Sequence, residues 1–366
     1  MNDKKKEPLF HIVKRDALPW YQSVGIRAIA IVLALIVCAV VTMILTGTNP
    51  IQVFQSIIAG AFGSARKTWI TFQNIAILLL ISLALTPAFK MKFWNIGGEG
   101  QVLIGGLASA ACMICLAEKL PAALVVVCMI VTSIAAGAFW AFIPAFFKAK
   151  WNTNETLSTL MMNYIATQLV AFFTIVWEVP KGSGKIGIIN QNSNVGWLPQ
   201  AFGSKYLLSI LVAVLITVFM YIYLKYSKHG YEISVVGESE NTAKYVGIKV
   251  EKVIMRTMAL SGAVCGLVGL LLVGGINHTI TTTIAGGQGF TAVMVSWMSK
   301  FNPTMVFSSF LIIFMNRGAS EISTNFGLNQ SFSDILTGII LFFIIGCEFF
   351  IAYQLQSRKK AAKEVQ

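Results

Sequence analysis

The sequence predicts an all-α polytopic membrane protein with about ten transmembrane helices and both termini in the cytoplasm. Hydrophobic residues make up 56% of the 366 residues and charged residues only 12%, and the mean hydropathy is +0.73. A soluble domain carries roughly a quarter charged residues. The apolar residues form runs of about twenty, the length that crosses the hydrocarbon core of a bilayer. The uneven distribution of basic residues between the loops is the third observation, and it sets the orientation.

Ten apolar segments separated by short loops are expected to form one membrane bundle. The eighth and ninth are too short to cross independently, so we expect half-length or tilted helices packed against protein. The domains are then a cytoplasmic tail (1–26), a transmembrane domain (27–355) and a second cytoplasmic tail (356–366). The predicted spans are 27–46, 69–89, 96–117, 121–147, 156–178, 205–225, 253–276, 290–300, 304–316 and 333–355.

Basic residues concentrate on one side of this topology. If the N-terminus is cytoplasmic, 21 of the 28 Lys and Arg residues lie on the cytoplasmic side, and Lys300 is one of these 21. This is the positive-inside pattern. Residues 1–20 are polar and basic and lack the apolar core and cleavage site of a signal peptide. The net charge of +13 is therefore explained by orientation in a membrane and not by nucleic-acid binding. The seven exceptions are Arg66, Lys67, Lys119, Lys181, Lys185, Lys205 and Arg317.

The sequence lacks the motifs of several kinds of catalytic and binding site. No G-x-x-x-x-G-K-[ST] motif occurs, so the chain does not bind ATP through a P-loop. No H-E-x-x-H or G-x-S-x-G motif supports a hydrolase, and we expect no catalytic residue. All six cysteines, including the Cys112–Cys115 pair, fall in apolar runs, where small packing residues are expected rather than disulfides. We expect no metal and no cofactor.

The first functional candidate is a polar, glycine-rich segment where the third span begins. It reads Asn-Ile-Gly-Gly-Glu-Gly-Gln at 95–101. Polar groups at membrane depth should face a cavity or a partner, and glycines permit a broken helix whose free N–H groups meet a solute. The candidates for a translocation pathway are therefore Asn95, Gly97, Gly98, Glu99 and Gln101. The structural alternative is close helix packing at the glycines with Glu99 capping its own helix.

A second segment echoes the first. Residues 285–290 read Ala-Gly-Gly-Gln-Gly-Phe, with Gln288 in place of the glutamate. The first copy enters from the cytoplasm and the second from outside, which is the pattern of an inverted repeat with broken helices. The same letters also arise by chance in a glycine-rich protein. Gln288 joins the pathway candidates on this basis.

The fifth span opens with Asn154 and Glu155, which are typical of a helix N-terminus. Asn163 lies two turns further in, at membrane depth, where an amide needs a partner. Contact with a solute and a hydrogen bond to another helix are both open for this residue.

Two loops are longer than turns. Residues 179–204, rich in Gly, Ser and Asn, form the extracytoplasmic loop, and residues 226–252 form the cytoplasmic one. Within the latter, 237–248 resembles a short helix that Ser239 caps and Gly247 terminates. Such a helix suits docking of a soluble partner or contact with the membrane surface.

Three of these segments together resemble the permease subunits of ABC importers for nucleosides and simple sugars, within the branched-chain amino acid and ribose permease group. Residues 95–101 look like that family's Asn-Ile-Gly-Ala-Glu-Gly-Gln block, with Gly98 in place of the usual Ala and Trp94 before it. Residues 154–164 are similar to its Asn-Glu-x-x-x-Thr-Leu-Met-x-Asn-Tyr block. Residues 237–248 resemble its Gly-x-x-x-x-x-Ala-x-x-x-Gly-Ile coupling segment. The order of these blocks agrees over most of the chain.

The resemblance implies a permease domain in a bacterial plasma membrane that forms half of a translocation path. It implies four partners: a second permease chain as a heterodimer, a separate ATPase, an extracytoplasmic solute-binding protein and membrane lipid. The ATPase would dock on the coupling segment, at Gly237, Glu238, Ser239, Asn241, Ala243 and Gly247. Nucleosides are the first choice of solute, and ribose or other simple sugars the second. A proton-coupled secondary transporter that uses Glu99 is the alternative class.

Overall fold

The structure, a computed structural model, describes residues 10–15, 18–47, 49–200, 203–299 and 304–357. The predictions for residues 1–9, 16–17, 201–202, Lys300 and 358–366 fall outside this part of the chain. The helices are α1 (Trp20–Thr46), α2 (Pro50–Phe62), α3 (Ala65–Lys90), α4 (Gly98–Leu116), α5 (Ala122–Trp151), α6 (Glu155–Val176), α7 (Leu207–Tyr226), α8 (Lys228–Glu238), α9 (Glu240–Tyr245), α10 (Val250–Leu270), α11 (Gln288–Met298), α12 (Thr304–Asn325) and α13 (Gln330–Ala352). A π-helical turn, Leu271–Asn277, extends α10, and two strands, β1 (Phe10–Lys14) and β2 (Tyr353–Ser357), pair antiparallel.

The predicted all-α membrane architecture is confirmed. Within the described residues, eight helices are long and apolar enough to cross a bilayer: α1, α3, α4, α5, α6, α7, α10 with its π-helical turn, and α13. Three differences from the prediction stand out among smaller shifts of the helix ends. Helix α1 starts at Trp20 inside the predicted tail, α2 was not predicted, and α12 extends to Asn325, beyond the predicted end of the ninth span at residue 316.

The chain forms two compact units, residues 69–311 and residues 1–68 with 312–366. In the second of these, α1 packs along α13, and Arg27 Nε donates to Glu348 Oε1 at 2.7 Å. The β1–β2 ribbon joins the segment before α1 to the segment after α13. Glu348 lies within an apolar helix and is buried, so its pairing with Arg27 supplies the partner that a carboxylate needs there.

Contacts of α12 with α2 and with Lys67, at the start of α3, explain why α12 continues past the predicted end. Lys67 Nζ lies 2.7 Å from Glu321 Oε1, and Asn325 Nδ2 donates to Ser56 Oγ at 3.2 Å. Gly60 has no room for a side chain, because a Cβ would meet the carbonyl oxygen of Arg317 at 2.6 Å. Glu321, beyond the predicted end at residue 316, is thus paired within the helix.

The core of unit 69–311 is built around α10, which packs between α4 and α5. A Cβ on Gly262 would clash with the carbonyl oxygen of Gly137 on α5, and one on Gly266 would clash with that of Ser133. On its other side, Gly266 meets Gly105 of α4 just as closely. Glycines four apart let helix backbones approach in a membrane, where apolar burial gives no driving force for association. The three helices, each in contact with the other two, therefore form one tightly packed cluster.

The predicted extracytoplasmic loop, 179–204, is folded onto the ends of the helices. Asn190 Nδ2 donates to Met113 O at 2.7 Å, and Leu198 N donates to Gly274 O at 2.9 Å. The rings of Trp197 and His278 stack with centroids 3.7 Å apart. Although its composition is typical of a loose loop, this segment is tied to α4 and to the π-helical turn.

Candidate functional site

The segment before α4 is organised by Asn95. This residue is fully buried; its Oδ1 accepts from Gly97 N at 3.0 Å and from Gln101 Nε2 at 3.2 Å. Its Nδ2 donates to Ser261 Oγ on α10 at 3.1 Å. Asn95 therefore fixes the segment just before α4, whose N-cap is Gly97, and ties it to α10.

Helix α6 holds the same segment from another side. Asn163 Oδ1 accepts from Gly100 N at 2.8 Å, and its Nδ2 donates to Ile96 O at 2.9 Å. One turn earlier, Thr159 Oγ1 accepts from Ile96 N at 3.2 Å. Gly100 is needed here, because a Cβ would lie 2.8 Å from Asn163 Oδ1. Asn163 thus makes the interhelical hydrogen bonds that the sequence left as one of two options.

Glu99 joins the two glycine-rich segments. Its Oε1 accepts from Gly287 N at 2.9 Å and its Oε2 from Gly289 N at 2.7 Å, across 188 and 190 residues of sequence. Gly289 packs directly against the backbone of Glu99, with no space for a side chain. The alternative in which Glu99 caps its own helix is wrong, because the carboxylate caps the first turn of α11 instead.

Two amide oxygens at this site have no hydrogen-bond partner within the described residues. They belong to Gln101 and Gln288, and both atoms are shielded from solvent. Gln101 is buried, while Gln288 opens α11 and is half-buried. A small polar partner such as water satisfies oxygens of this kind in protein interiors.

The predicted pathway residues are thus gathered into one buried cluster. We call residues 95–101, Thr159, Asn163 and 287–289 the α4 junction. It brings together Asn95, Gly97, Gly98, Glu99, Gln101, Asn163 and Gln288. These groups mostly contact one another instead of an open cavity. Across the described residues, no cluster of three His, Cys, Asp or Glu residues is arranged to hold a metal ion.

The predicted coupling segment comprises the end of α8, all of α9 and the turn before α10. Ser239 Oγ accepts from Thr242 N at 3.2 Å, which caps α9, and Gly247 ends the segment with φ +82°. Ala243 is fully buried in a cluster with Val236 and Met258. Gly237 packs directly against the carbonyl group of Lys90, so that a Cβ at this position would clash with the carbonyl oxygen. Gly237 and Ala243 therefore seat the segment on the bundle and cannot contact a partner directly.

The opposite side of the segment is open. Tyr245 is 93% exposed and Val246 is 56% exposed, and Glu238, Glu240 and Asn241 are also exposed. We call these five residues the α9 surface. An exposed tyrosine and valine in a short helix form an apolar patch rimmed by polar groups, which is typical of a protein–protein contact. The predicted coupling set included Glu238 and Asn241 but lacked Glu240, Tyr245 and Val246. Tyr245, two residues after the buried Ala243, lies on the outer side of α9, and Val246 follows the end of that helix.

A cavity of about 150 Å³ adjoins the α9 surface. Its lining includes Lys92, Lys148, Glu155, Glu238 and Ser239. Lys148 and Glu155 form an ion pair at 2.9 Å, and Lys92 Nζ donates to the carbonyl oxygen of Glu238 at 3.4 Å. The segment is therefore held at its edge by Lys92, which precedes α4, while the Lys148–Glu155 pair joins α5 to the start of α6 beside the cavity.

An ion pair fixes α8 to α10. Arg256 Nη2 donates to Glu232 Oε2 at 2.9 Å, and this contact, more than any other, holds the pKa of Glu232 below its ordinary value. His229 Nδ1 lies 3.7 Å from the same oxygen. The pair links the helix that carries the coupling segment to the core helix.

The Glu232–Arg256 pair is expected to make stability depend on pH. Because the pKa of Glu232 is lower in the folded state, its stabilisation is complete above the unfolded value of about 4.3 and is lost as pH falls through the folded value. Glu232→Gln should lower the free energy of unfolding by up to about 1 kcal/mol at pH 7. The difference in stability from wild type should disappear below about pH 4. Thermal unfolding of the purified protein measures this. Glu118→Gln, at an exposed acid, is the control, and a gap that stays constant down to acidic pH would contradict the assignment.

Comparison with known proteins places the chain in a family. Residues 68–345 match the family model for the permease component of the branched-chain amino acid transport system. The chain is 30% identical over 321 residues to the guanosine ABC transporter permease protein NupP of Bacillus subtilis, covering 86% of this chain and 91% of the relative. It is 27% identical over 283 residues to NupQ, also a guanosine ABC transporter permease protein of that organism, covering 74% and 83%.

A sugar permease is similar over nearly the same length. The glucose ABC transporter permease protein TsgB13 of Haloferax volcanii is 26% identical over 355 residues, covering 93% of this chain and 92% of the relative. No solved structure matches the chain. The family match over most of the chain agrees with the eight helices of the described residues that are long and apolar enough to cross a membrane. The chain therefore belongs to the branched-chain amino acid transport permease family and is a multi-pass plasma-membrane permease subunit of an ABC transporter, which works with a separate ATPase.

Proposed function

We propose that this permease subunit imports nucleosides, with ribose or another simple sugar as the second candidate. The observation that carries the proposal is the near full-length similarity to NupP, whose name specifies guanosine. The similarity to TsgB13, whose name specifies glucose, favours the sugar alternative. We also propose that an extracytoplasmic binding protein delivers the solute and that the chain forms half of the path beside a different permease chain. The similarity to both NupP and NupQ supports that pairing.

The proposed coupling route starts at the α9 surface, where the ATPase docks. Movement of α9 is passed to the bundle by the buried Ala243, by Gly237 against Lys90, and by the Glu232–Arg256 pair. The last of these reaches α10, whose glycines pack on α4 and α5. Through Ser261 and Asn95, α10 also contacts the α4 junction. ATP-driven closure of the ATPase pair would thus shift the elements that form one wall of the path.

Within this route we assign Glu99 an anchoring role. Each of its two carboxylate oxygens accepts a hydrogen bond from a backbone N–H group at the start of α11, so both oxygens already have a protein partner. A residue that carries protons across a membrane must instead exchange them with water on each side. The geometry therefore favours an anchor over the proton-coupling role that the sequence left open.

Uptake by a reconstituted transporter tests the solute. The complete complex, with its ATPase, second permease and binding protein, is placed in vesicles supplied with ATP. Uptake of labelled guanosine, adenosine and uridine is compared with uptake of ribose and glucose. We expect saturable nucleoside uptake that requires ATP and that excess sugar does not inhibit. Uptake of ribose or glucose without any nucleoside uptake would overturn the nucleoside assignment and support the sugar alternative.

The α9 surface is tested by substitutions on its two sides. Tyr245→Ala should reduce ATPase co-purification about tenfold, because truncating a central interface tyrosine removes about 1.4 kcal/mol or more, while the thermal unfolding temperature stays unchanged. Ala243→Leu should lower that temperature as well as co-purification, since Ala243 is buried.

Tyr226→Ala supplies the matched control for this test. Tyr226 is an exposed tyrosine at the end of α7, outside the α9 surface. Its replacement should leave ATPase binding intact. Retention of the ATPase by Tyr245→Ala, by Val246→Ala and by a Glu238→Lys and Glu240→Lys double variant would place the docking site elsewhere.

A further inference from the structure

Helix α6 has two different faces. Thr159, Asn163, Ala166 and Val170 recur at helical spacing and are buried, and the first two hold the α4 junction. The opposite face is exposed along the whole helix. Its large members are Leu157, Met161, Tyr164, Ile165, Phe172 and Ile175. Gln168 is exposed on the same face, one turn after Tyr164.

Tyr164 and Gln168 make this face unusual. Gln168 lies thirteen residues after the start of α6, which is roughly 20 Å along a helix of roughly 33 Å, so its amide is near mid-membrane. Within the described residues, no hydrogen bond is made by the Gln168 amide or the Tyr164 hydroxyl group. An amide in hydrocarbon without a partner is strongly disfavoured. A polar partner outside the described residues is therefore expected at this depth.

The neighbouring spans show what a lipid-facing surface looks like in this protein. Through the middle of α5 the exposed residues are Leu, Val, Ile, Ala and Phe, and through the middle of α7 they are Leu, Val and Phe. Neither helix exposes an amide there. Lipid suits those two faces, whereas the exposed face of α6 combines apolar contact area with a hydroxyl group and an amide.

We propose that Tyr164 and Gln168 contact the nucleoside as it passes along the translocation path. The chemistry of the pair matches that solute. A tyrosine ring stacks on a flat base in a way that tolerates different bases. A glutamine amide both donates and accepts, as the polar edge of a base or the ribose hydroxyl groups require. Met161, one turn before Tyr164 and Ile165, adds a deformable apolar surface. This inference rests on the proposed nucleoside transport.

Uptake kinetics of the complete transporter in vesicles test the contact. Gln168→Leu and Tyr164→Ala should each reduce guanosine uptake at least tenfold, while co-purification of the ATPase and the second permease stays at wild-type level. Tyr164→Phe keeps the ring and should retain most of the uptake. Phe139→Ala, at an exposed aromatic residue of α5, is the control and should leave uptake unchanged.

Each other outcome overturns the proposal in a distinct way. Wild-type uptake by Gln168→Leu and Tyr164→Ala would mean that the face meets lipid. A loss of the second permease in parallel with the loss of uptake would mean that the face is a contact between permease chains. If the wild-type complex transports sugars and no nucleoside, the proposed function fails together with this inference. If the wild-type complex transports nucleosides but the variants do not show the expected loss of uptake, only the proposed α6 contact is overturned and the proposed function stands.

Discussion

Glu99→Ala is expected to reduce uptake at least tenfold and to lower the thermal unfolding temperature of the purified subunit. The substitution removes two hydrogen bonds to a charged acceptor, each worth about 1.5–3 kcal/mol. It also leaves the N–H groups of Gly287 and Gly289 without partners where α11 meets α4. The start of α11 should then detach from the start of α4. Vesicle uptake and thermal unfolding of the same preparation measure the two effects.

A graded series separates anchoring from chemistry at Glu99. Glu99→Gln keeps one oxygen acceptor, so it should be intermediate in both stability and uptake. Glu118→Ala, at an exposed glutamate just beyond the other end of α4, is the matched control and should behave as wild type. Glu99→Gln with normal thermal unfolding but no uptake would contradict the anchoring role, because it would show that a carboxylate is needed for transport itself.

The partner of Glu99 illustrates a limit of prediction from sequence. A buried carboxylate among glycines indicated correctly that a polar partner was needed. The partner lies 188 residues away and consists of backbone N–H groups of glycines. Because glycines have no side chain, their sequence does not indicate which carboxylate they bind. The weak echo between 95–101 and 285–290 pointed to the right pair of segments. It could not show that one segment caps the other.

Membrane spans with strong apolar runs were predictable, and polar helices were not. Spans α3 to α7 follow from hydropathy, because each carries enough apolar residues to cross a bilayer. The ninth span was predicted to end at residue 316, before the charged Arg317 and Glu321. The ion pair between Glu321 and Lys67, which lie 254 residues apart, accommodates that charge within the helix. Long-range pairing of this kind leaves no local trace in the sequence.

In the coupling segment, too, features set by local sequence were predictable and features set by long-range packing were not. The cap at Ser239 and the stop at Gly247 depend on local chemistry, so the turn positions were predictable. Which side faces outward depends on how the segment sits against α3 and α10. That is why the buried Gly237 and Ala243 were placed in the contact set with the exposed residues, while Tyr245 was not.

Gly262→Leu is expected to prevent correct assembly of the bundle. A side chain at this position would clash with the carbonyl oxygen of Gly137 and with the Ala141 side chain, both on α5. Backbone cannot move aside as a flexible side chain does, so α5 and α10 would have to separate. Overpacking in a core costs about 1–3 kcal/mol, and we expect a value at or above that range here. The yield of folded protein after detergent extraction, measured by size-exclusion chromatography, should fall at least tenfold.

A matched substitution shows whether bulk alone is responsible. Gly338 lies within the apolar helix α13, and a Cβ at this position would meet no atom within 4 Å, so Gly338→Leu should yield folded protein normally. Gly262→Ala should fall between the two, since its single methyl group already meets the Gly137 carbonyl oxygen. Because α10 also contacts Asn95 through Ser261, partial separation should weaken the α4 junction before the fold is lost. Uptake by Gly262→Ala should therefore decline more than its yield, and equal declines would argue that α10 does not connect the packed three-helix cluster to the junction.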